Sequence, residues 1–161
     1  MALEDLSSLL WREHELLDLL LFKAEEKQYV IVSNKTRWLP RVAKEIEVIL
    51  DQLRGLEVER AAETEAIAVE FGLTTGPSLR ELADRVGEPW GELLIRHHQN
   101  LLTIVTEIRT LSDFNRGLVE SGLAELDRSL LVGSVPTAGL YTAAGRSDGV
   151  THRAVTLDGA L

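Results

Sequence analysis

The sequence contains no cysteine, which excludes a disulfide framework, a Cys-based zinc site and a thiol nucleophile. Aromatic residues make up only 5% of the chain, and dense Val/Ile/Thr/Tyr runs bounded by turn residues are hard to find. That scarcity removes the usual signature of strands. Positive charge is in deficit: 17 Lys and Arg face 26 Asp and Glu, a formal charge of −9 with pI near 4.9. Holding a phosphate backbone needs Lys and Arg clustered on one face, so no nucleic acid is expected as a partner. No apolar run approaches a membrane span, and MALEDLSS lacks the basic segment that opens a signal peptide. A soluble cytoplasmic protein without membrane insertion is expected.

Chemical signatures are missing as well. There is no Gly-rich phosphate loop, no G-x-S-x-G and no H-E-x-x-H. The residues three before the four histidines are Trp11, Leu94, Ile95 and Gly149, so the Glu-x-x-His pairs of di-iron bundles are absent. His97 and His98 are adjacent and diverge on a helix, which suits two ligands of one metal poorly. The expectation is no catalytic residue, no cofactor and no metal, hence no enzyme.

What remains is a chain of helix formers. Leu, Ala, Glu and Arg dominate, and 45% apolar residues in 161 suffice for one core. The longest uninterrupted helical pattern runs from Trp90 to Leu131. Within it Leu94, His97, Leu101, Ile104, Ile108, Leu111, Asn115 and Leu118 follow three-four spacing, an apolar seam that must lie against other helices. At 1.5 Å per residue the helix would be roughly 60 Å long, so the molecule is expected to be elongated. From Asn115 the apolar positions become Val119, Leu123, Leu126 and Leu130, and two successive steps of four make a stutter. Gly117 and Gly122 fall in the same stretch, each costing about 1 kcal/mol relative to Ala in a helix interior. This distal face reads either as a fraying helix end or as a partner-binding stripe, and the second is the functional expectation.

The first helix is predicted from Leu3 to about Val32, with a seam of Leu3, Leu6, Leu10, Leu17, Leu20, Ala24 and Ile31. Leu9, Leu16, Leu21 and Phe22 widen its apolar face, which implies contact with more than one neighbour. Trp11 lies off the seam, where its ring would cover the bundle edge. Ser33, Asn34 and Thr36 offer N-caps for a second helix whose start is constrained by Pro40. That helix carries Leu39, Val42, Ile46, Ile49, Leu53 and Leu56 to about Phe71, and Gly72 stops it. Ser78 and Glu81 form a capping box that opens a short helix from Leu79 to Val86, ended by Gly87. Pro89, with Glu88 as a candidate cap, then admits the long third helix. The fold class is therefore all-α: an elongated antiparallel bundle of three long helices with one short connecting helix. Residues 1–131 form this domain. Residues 132–161, rich in Gly, Ser, Thr and Ala without a sustained period, form a tail that cannot bury enough apolar area to offset its ordering entropy. It is expected to be disordered.

Three stretches carry a resemblance: LSSLLWREHELLDLLLFKAEEKQYVI, TRWLPRVAKEIEVILDQLRGLEVERA and LRELADRVGEPWGELLIRHHQNLLTIVTEI. With Trp11, the TRWL tetrapeptide and the EPWGELL segment they resemble FlgN-type flagellar export chaperones, especially those of high-GC Gram-positive bacteria, over roughly Leu3 to Leu131. The resemblance implies a cytoplasmic chaperone of hook-filament junction proteins. Such a protein prevents their premature assembly and delivers them to the type III export gate. It also implies client contacts towards the C-terminal helical region, which here means Val119, Leu123, Leu126 and Leu130. A tyrosine near the C-terminus is implied at the gate, and Tyr141 is the residue so placed. A generic coiled-coil adaptor or regulator is the competing reading, and both a monomer and a homodimer fit the pattern.

The composition of the tail generates a first prediction. Truncation after Leu131 should leave the thermal midpoint nearly unchanged, because few buried contacts are lost. A large drop in Tm on the truncated chain would show that the tail docks on the bundle.

Overall fold

The computed structural model describes residues 2–74 and 76–132. They form α1 (Ala2–Val32), a turn of 3-10 helix (Thr36–Trp38), α2 (Leu39–Glu70), α3 (Leu79–Val86) and α4 (Trp90–Val132). No strand occurs among the described residues, and the all-α reading holds. The tail expected from residue 132 lies, apart from Val132, outside the described residues.

The middle of the expected α1 seam is buried, with Leu6, Leu10, Leu17, Leu20 and Ala24 all in the core, while Leu3 and Ile31 at its ends are only half-covered. Leu9 is buried too, and Leu16 and Leu21 pack on the core half-covered. The extra leucines have a reason. Both α2 and α4 lie along α1, while no Cα of α2 comes within 8 Å of one of α4 among the described residues. The longest helix is α4, but the central one is α1.

Ion pairs and hydrogen bonds give the directions. Lys23 Nζ lies 2.6 Å from Glu45 Oε2, and Arg12 NH1 lies 3.5 Å from Glu59 Oε2, so α2 runs antiparallel to α1. By contrast Ser7 Oγ meets His97 Nε2 at 3.3 Å and Asn115 Nδ2 donates to the Ala24 carbonyl at 2.9 Å. The offset is 90 residues at one contact and 91 at the other. Helices α1 and α4 are therefore parallel and keep one register over their shared length.

The polar break after α1 works differently from its expected role. Asn34 adopts a left-handed conformation, φ 55°, with Lys35 N–H donating to the Val30 carbonyl and Asn34 N–H to that of Ile31, both at 3.0 Å. This is a Schellman ending, in which asparagine stands where glycine is commonest. So these residues close α1 rather than cap α2. The N-cap of α2 is Trp38, which makes no side-chain cap bond, and Pro40 sits in the first turn, where its missing N–H costs nothing. Helix α2 ends the same way as α1: Gly72 has φ 67°, and Leu73 N–H reaches the Ala68 carbonyl at 2.8 Å.

The short helix α3 has both halves of its capping box. Glu81 N–H donates to Ser78 Oγ at 3.2 Å and Ser78 N–H to Glu81 Oε2 at 2.8 Å. The Ser78 N–H, joined by the Ser78 hydroxyl donating to the same oxygen at 2.9 Å, holds the Glu81 carboxyl below its ordinary range. Helix α3 then packs on the start of α4, where Gly91 allows a close approach: a Cβ there would lie 2.7 Å from the Ala83 carbonyl oxygen.

One ion pair is buried between α1 and α2. Glu13 Oε2 lies 3.3 Å from Arg60 Nε, with both side chains under a tenth exposed. The approach is close enough for Coulombic attraction, yet no hydrogen bond of normal geometry reaches that oxygen. Desolvation therefore outweighs the attraction of Arg60, and the Glu13 carboxyl is raised above its ordinary value, with Glu57 adding in the same direction. A folded-state value above the unfolded one means that the folded chain binds this proton more tightly. Stability from this group is fully present below the ordinary Glu value and is lost as pH rises through the raised one. Removing Arg60 alone leaves a buried charge without its partner. Arg60→Met should thus cost about 3 kcal/mol or more at pH 7 by urea unfolding, and progressively less on acidification as Glu13 takes up its proton. Adding Glu13→Leu should recover most of the loss, since an apolar pair replaces the ionic one at little cost. An Arg60→Met cost that grows on acidification would contradict the direction of this shift.

Candidate functional site

The expected partner stripe sits near the free end of α4. Continuing the offset of 90 to 91 residues places the last residue of α1, Val32, level with residues 122–123. About nine residues of α4 project beyond it, roughly 14 Å at the α-helical rise. Val119, next to the end of α1, is just over one-third exposed, while Leu123 and Leu126 are 58% and 55% exposed. Leu130 lies in the last turns of α4, and its side chain falls outside the described set. Tyr141 lies outside the described residues altogether.

The stutter explains which way this stripe faces. A seam of heptads drifts about 20° per repeat on a regular α-helix, and each extra step of four turns it about 40° the other way. Val119, Leu123 and Leu126 are thereby brought back to the side occupied upstream by Leu94 and Leu101, both of which are fully buried. The face that packs on α1 thus continues past the end of α1. Its leucines have lost their cover because the partner helix stops.

Two polar residues punctuate the covered part of that face. His97 and Asn115 are 3% and 2% exposed, and each meets α1 through the hydrogen bonds given above. The Asn115 Oδ1 atom has no hydrogen-bond partner, a cost in stability of the kind that specifies register in paired helices. His97 also receives the Trp11 ring edge-to-face, with centroids 5.0 Å apart. Burial, with a smaller contribution from His14, holds the His97 imidazole below its ordinary value, so it is neutral at pH 7. Ser7 and His97 stand at hydrogen-bond distance, as a nucleophile and base would. Both are buried between two helices, however, where no substrate reaches them. Among the described residues no group of three or more His, Asp or Glu is placed to hold a metal ion, and no helix is long and apolar enough to cross a membrane.

The sequence reading missed one set of exposed residues. Phe22, counted above as widening a buried face, is exposed, and so are Tyr29 and Phe114. An apolar side chain at the margin of a helical face gives no sign of whether a neighbour reaches it. That depends on the crossing of α1, α2 and α4, which is non-local information.

The described residues therefore offer an uncovered helix face, and the Ser7–His97 pair, closed off between two helices, is not an accessible reaction centre. A family model described as FlgN protein matches residues 1–149. No curated protein and no solved structure matches the chain. The match spans all four helices, so this chain, with its long bundle and its projecting final helix, belongs to the FlgN family of flagellar export chaperones.

Proposed function

We propose that this protein binds hook-filament junction proteins in the cytoplasm, prevents their premature assembly and carries them to the flagellar export gate. The observation that supports this reading best is the projecting end of α4. A client with an amphipathic terminal helix can lay its apolar stripe against Val119, Leu123, Leu126 and Leu130, taking the place that α1 vacates. Pairing of this kind covers the client surface that would otherwise polymerise, and it needs no nucleotide. Gly117 and Gly122 have open space around them, so no packing constraint demands glycine there. Their effect is to lower local helix propensity at the client face, which lets the stripe adjust to a partner.

Co-expression with each junction protein followed by size-exclusion chromatography identifies the client, and titration then tests the site. Burying one Leu contributes about 1.5 to 3 kcal/mol, so Leu123→Ala with Leu126→Ala should weaken client binding by about two orders of magnitude. Both side chains are more than half exposed, and the Tm of the free protein should barely move. Unchanged client affinity in the double variant would remove this stripe as the site. For delivery, Tyr141 is assigned to the export gate, and it lies within the stretch that the family model matches. Tyr141→Ala should then lower secretion of the client while chaperone–client complexes form normally. Undiminished secretion would refute that assignment.

A further inference from the structure

A second surface lies on another flank of the molecule. Between α1 and α4 runs a groove of about 490 Å³, whose apolar lining comes from Leu21, Leu111 and Phe114. Thr106 and Thr110 also line it, and their hydroxyls already donate to carbonyls of α4, at 2.7 and 2.9 Å. They ask nothing of a ligand. Two carboxylates complete the walls, Glu25 from α1 and Glu107 from α4, and neither has an ion-pair partner among the described residues. Phe114 is 53% exposed and stands roughly 150° around α4 from the Val119–Leu126 stripe at 100° per residue. Across Glu25 the surface continues into an apolar hollow of about 280 Å³ formed by Phe22, Tyr29 and Val30, where Lys35 is the only lining cation among the described residues. Of the other ammonium groups in this part of α1, Lys23 is engaged by Glu26 and Glu45, and Lys27 lines neither the groove nor the hollow.

We propose that this groove is a docking site, distinct from the stripe at the end of α4, for an amphipathic helix of a second protein whose apolar face is flanked by Lys and Arg. The apolar floor fits the side chains that such a helix presents at i, i+3, i+4 and i+7. The unpaired carboxylates on opposite walls select its charge, since complementary rims favour the right partner and repel acidic ones. A second copy of this chain does not fit. A two-fold contact would set the same acidic walls against each other, in a protein that already carries a charge of −9.

The test uses the full-length chain and two synthetic amphipathic peptides of about four turns, identical in their Leu positions, one flanked by Lys and Arg and the other by Glu. Fluorescence anisotropy should show the basic peptide binding at least about tenfold tighter than the acidic one. Glu25→Lys with Glu107→Lys should reverse that preference, and Phe114→Ser should weaken the basic peptide by about tenfold. Two controls isolate the contribution of the groove. Glu70→Lys with Asp84→Lys makes the same change in net charge at exposed positions on other helices, and should alter affinity by no more than about twofold. Leu123→Ala with Leu126→Ala removes the stripe at the end of α4 and should also leave the peptide bound. Equal binding of the two peptides, or a loss in the Glu70/Asp84 control as large as in the groove variant, would overturn the proposal. Dependence on Leu123 and Leu126 without dependence on Phe114 would overturn it too, by assigning the peptide to the stripe.

Discussion

A helix that packs against two others must be apolar on two sides, and here α1 carries that requirement for the whole bundle. Because α2 and α4 approach it from different directions without approaching each other closely, the leucines of α1 are the common ground of the core. The turn chemistry after α1, the antiparallel ion pairs and the parallel register with α4 all serve to keep this one helix in place. Burying Glu13 between this helix and α2 costs stability, and Arg60 of α2 offsets it only in part.

Local signals were legible in the sequence and non-local ones were not. The limits of α3 follow from Ser78, Glu81 and Gly87, each of which acts within a few residues of itself, and they were read correctly. The extra leucines of α1 correctly implied two neighbours. Asn34 was misread because its side chain suits an N-cap and its backbone suits a left-handed helix ending. Residue type alone does not decide between them. The constant register of α1 on α4 has no local signal either, since it joins residues 90 positions apart. Gly91 shows the same limit: it looks like a weak start for a helix, and its reason is the carbonyl of Ala83 on α3. At the candidate site the stripe itself was visible as a stutter. That the stripe is only partly covered was also expected, and what could not be read was where the cover stops, because that depends on where a different helix ends.

The two open surfaces differ in kind. The stripe near the end of α4 continues a buried face, and its side chains at Val119, Leu123 and Leu126 are all aliphatic. The groove at Phe114 is bordered by carboxylates on both sides. One surface is suited to replacing a missing helix by shape, the other to selecting a partner by charge. A carrier that must hold one protein while meeting another has use for both, and their separation around α4 means that neither need exclude the other.

The shortness of the projecting end has a kinetic meaning. A segment of about nine residues is only two and a half turns, and under the function proposed above that is room for two or three client side chains. Affinity among related interfaces is set mainly by how slowly they come apart, and a grip this small comes apart quickly. A chaperone built around it holds its cargo for a brief interval and lets it go by thermal motion alone. Under that proposal the handover is governed by residence time, which exposed leucines such as Leu123 and Leu126 would set directly.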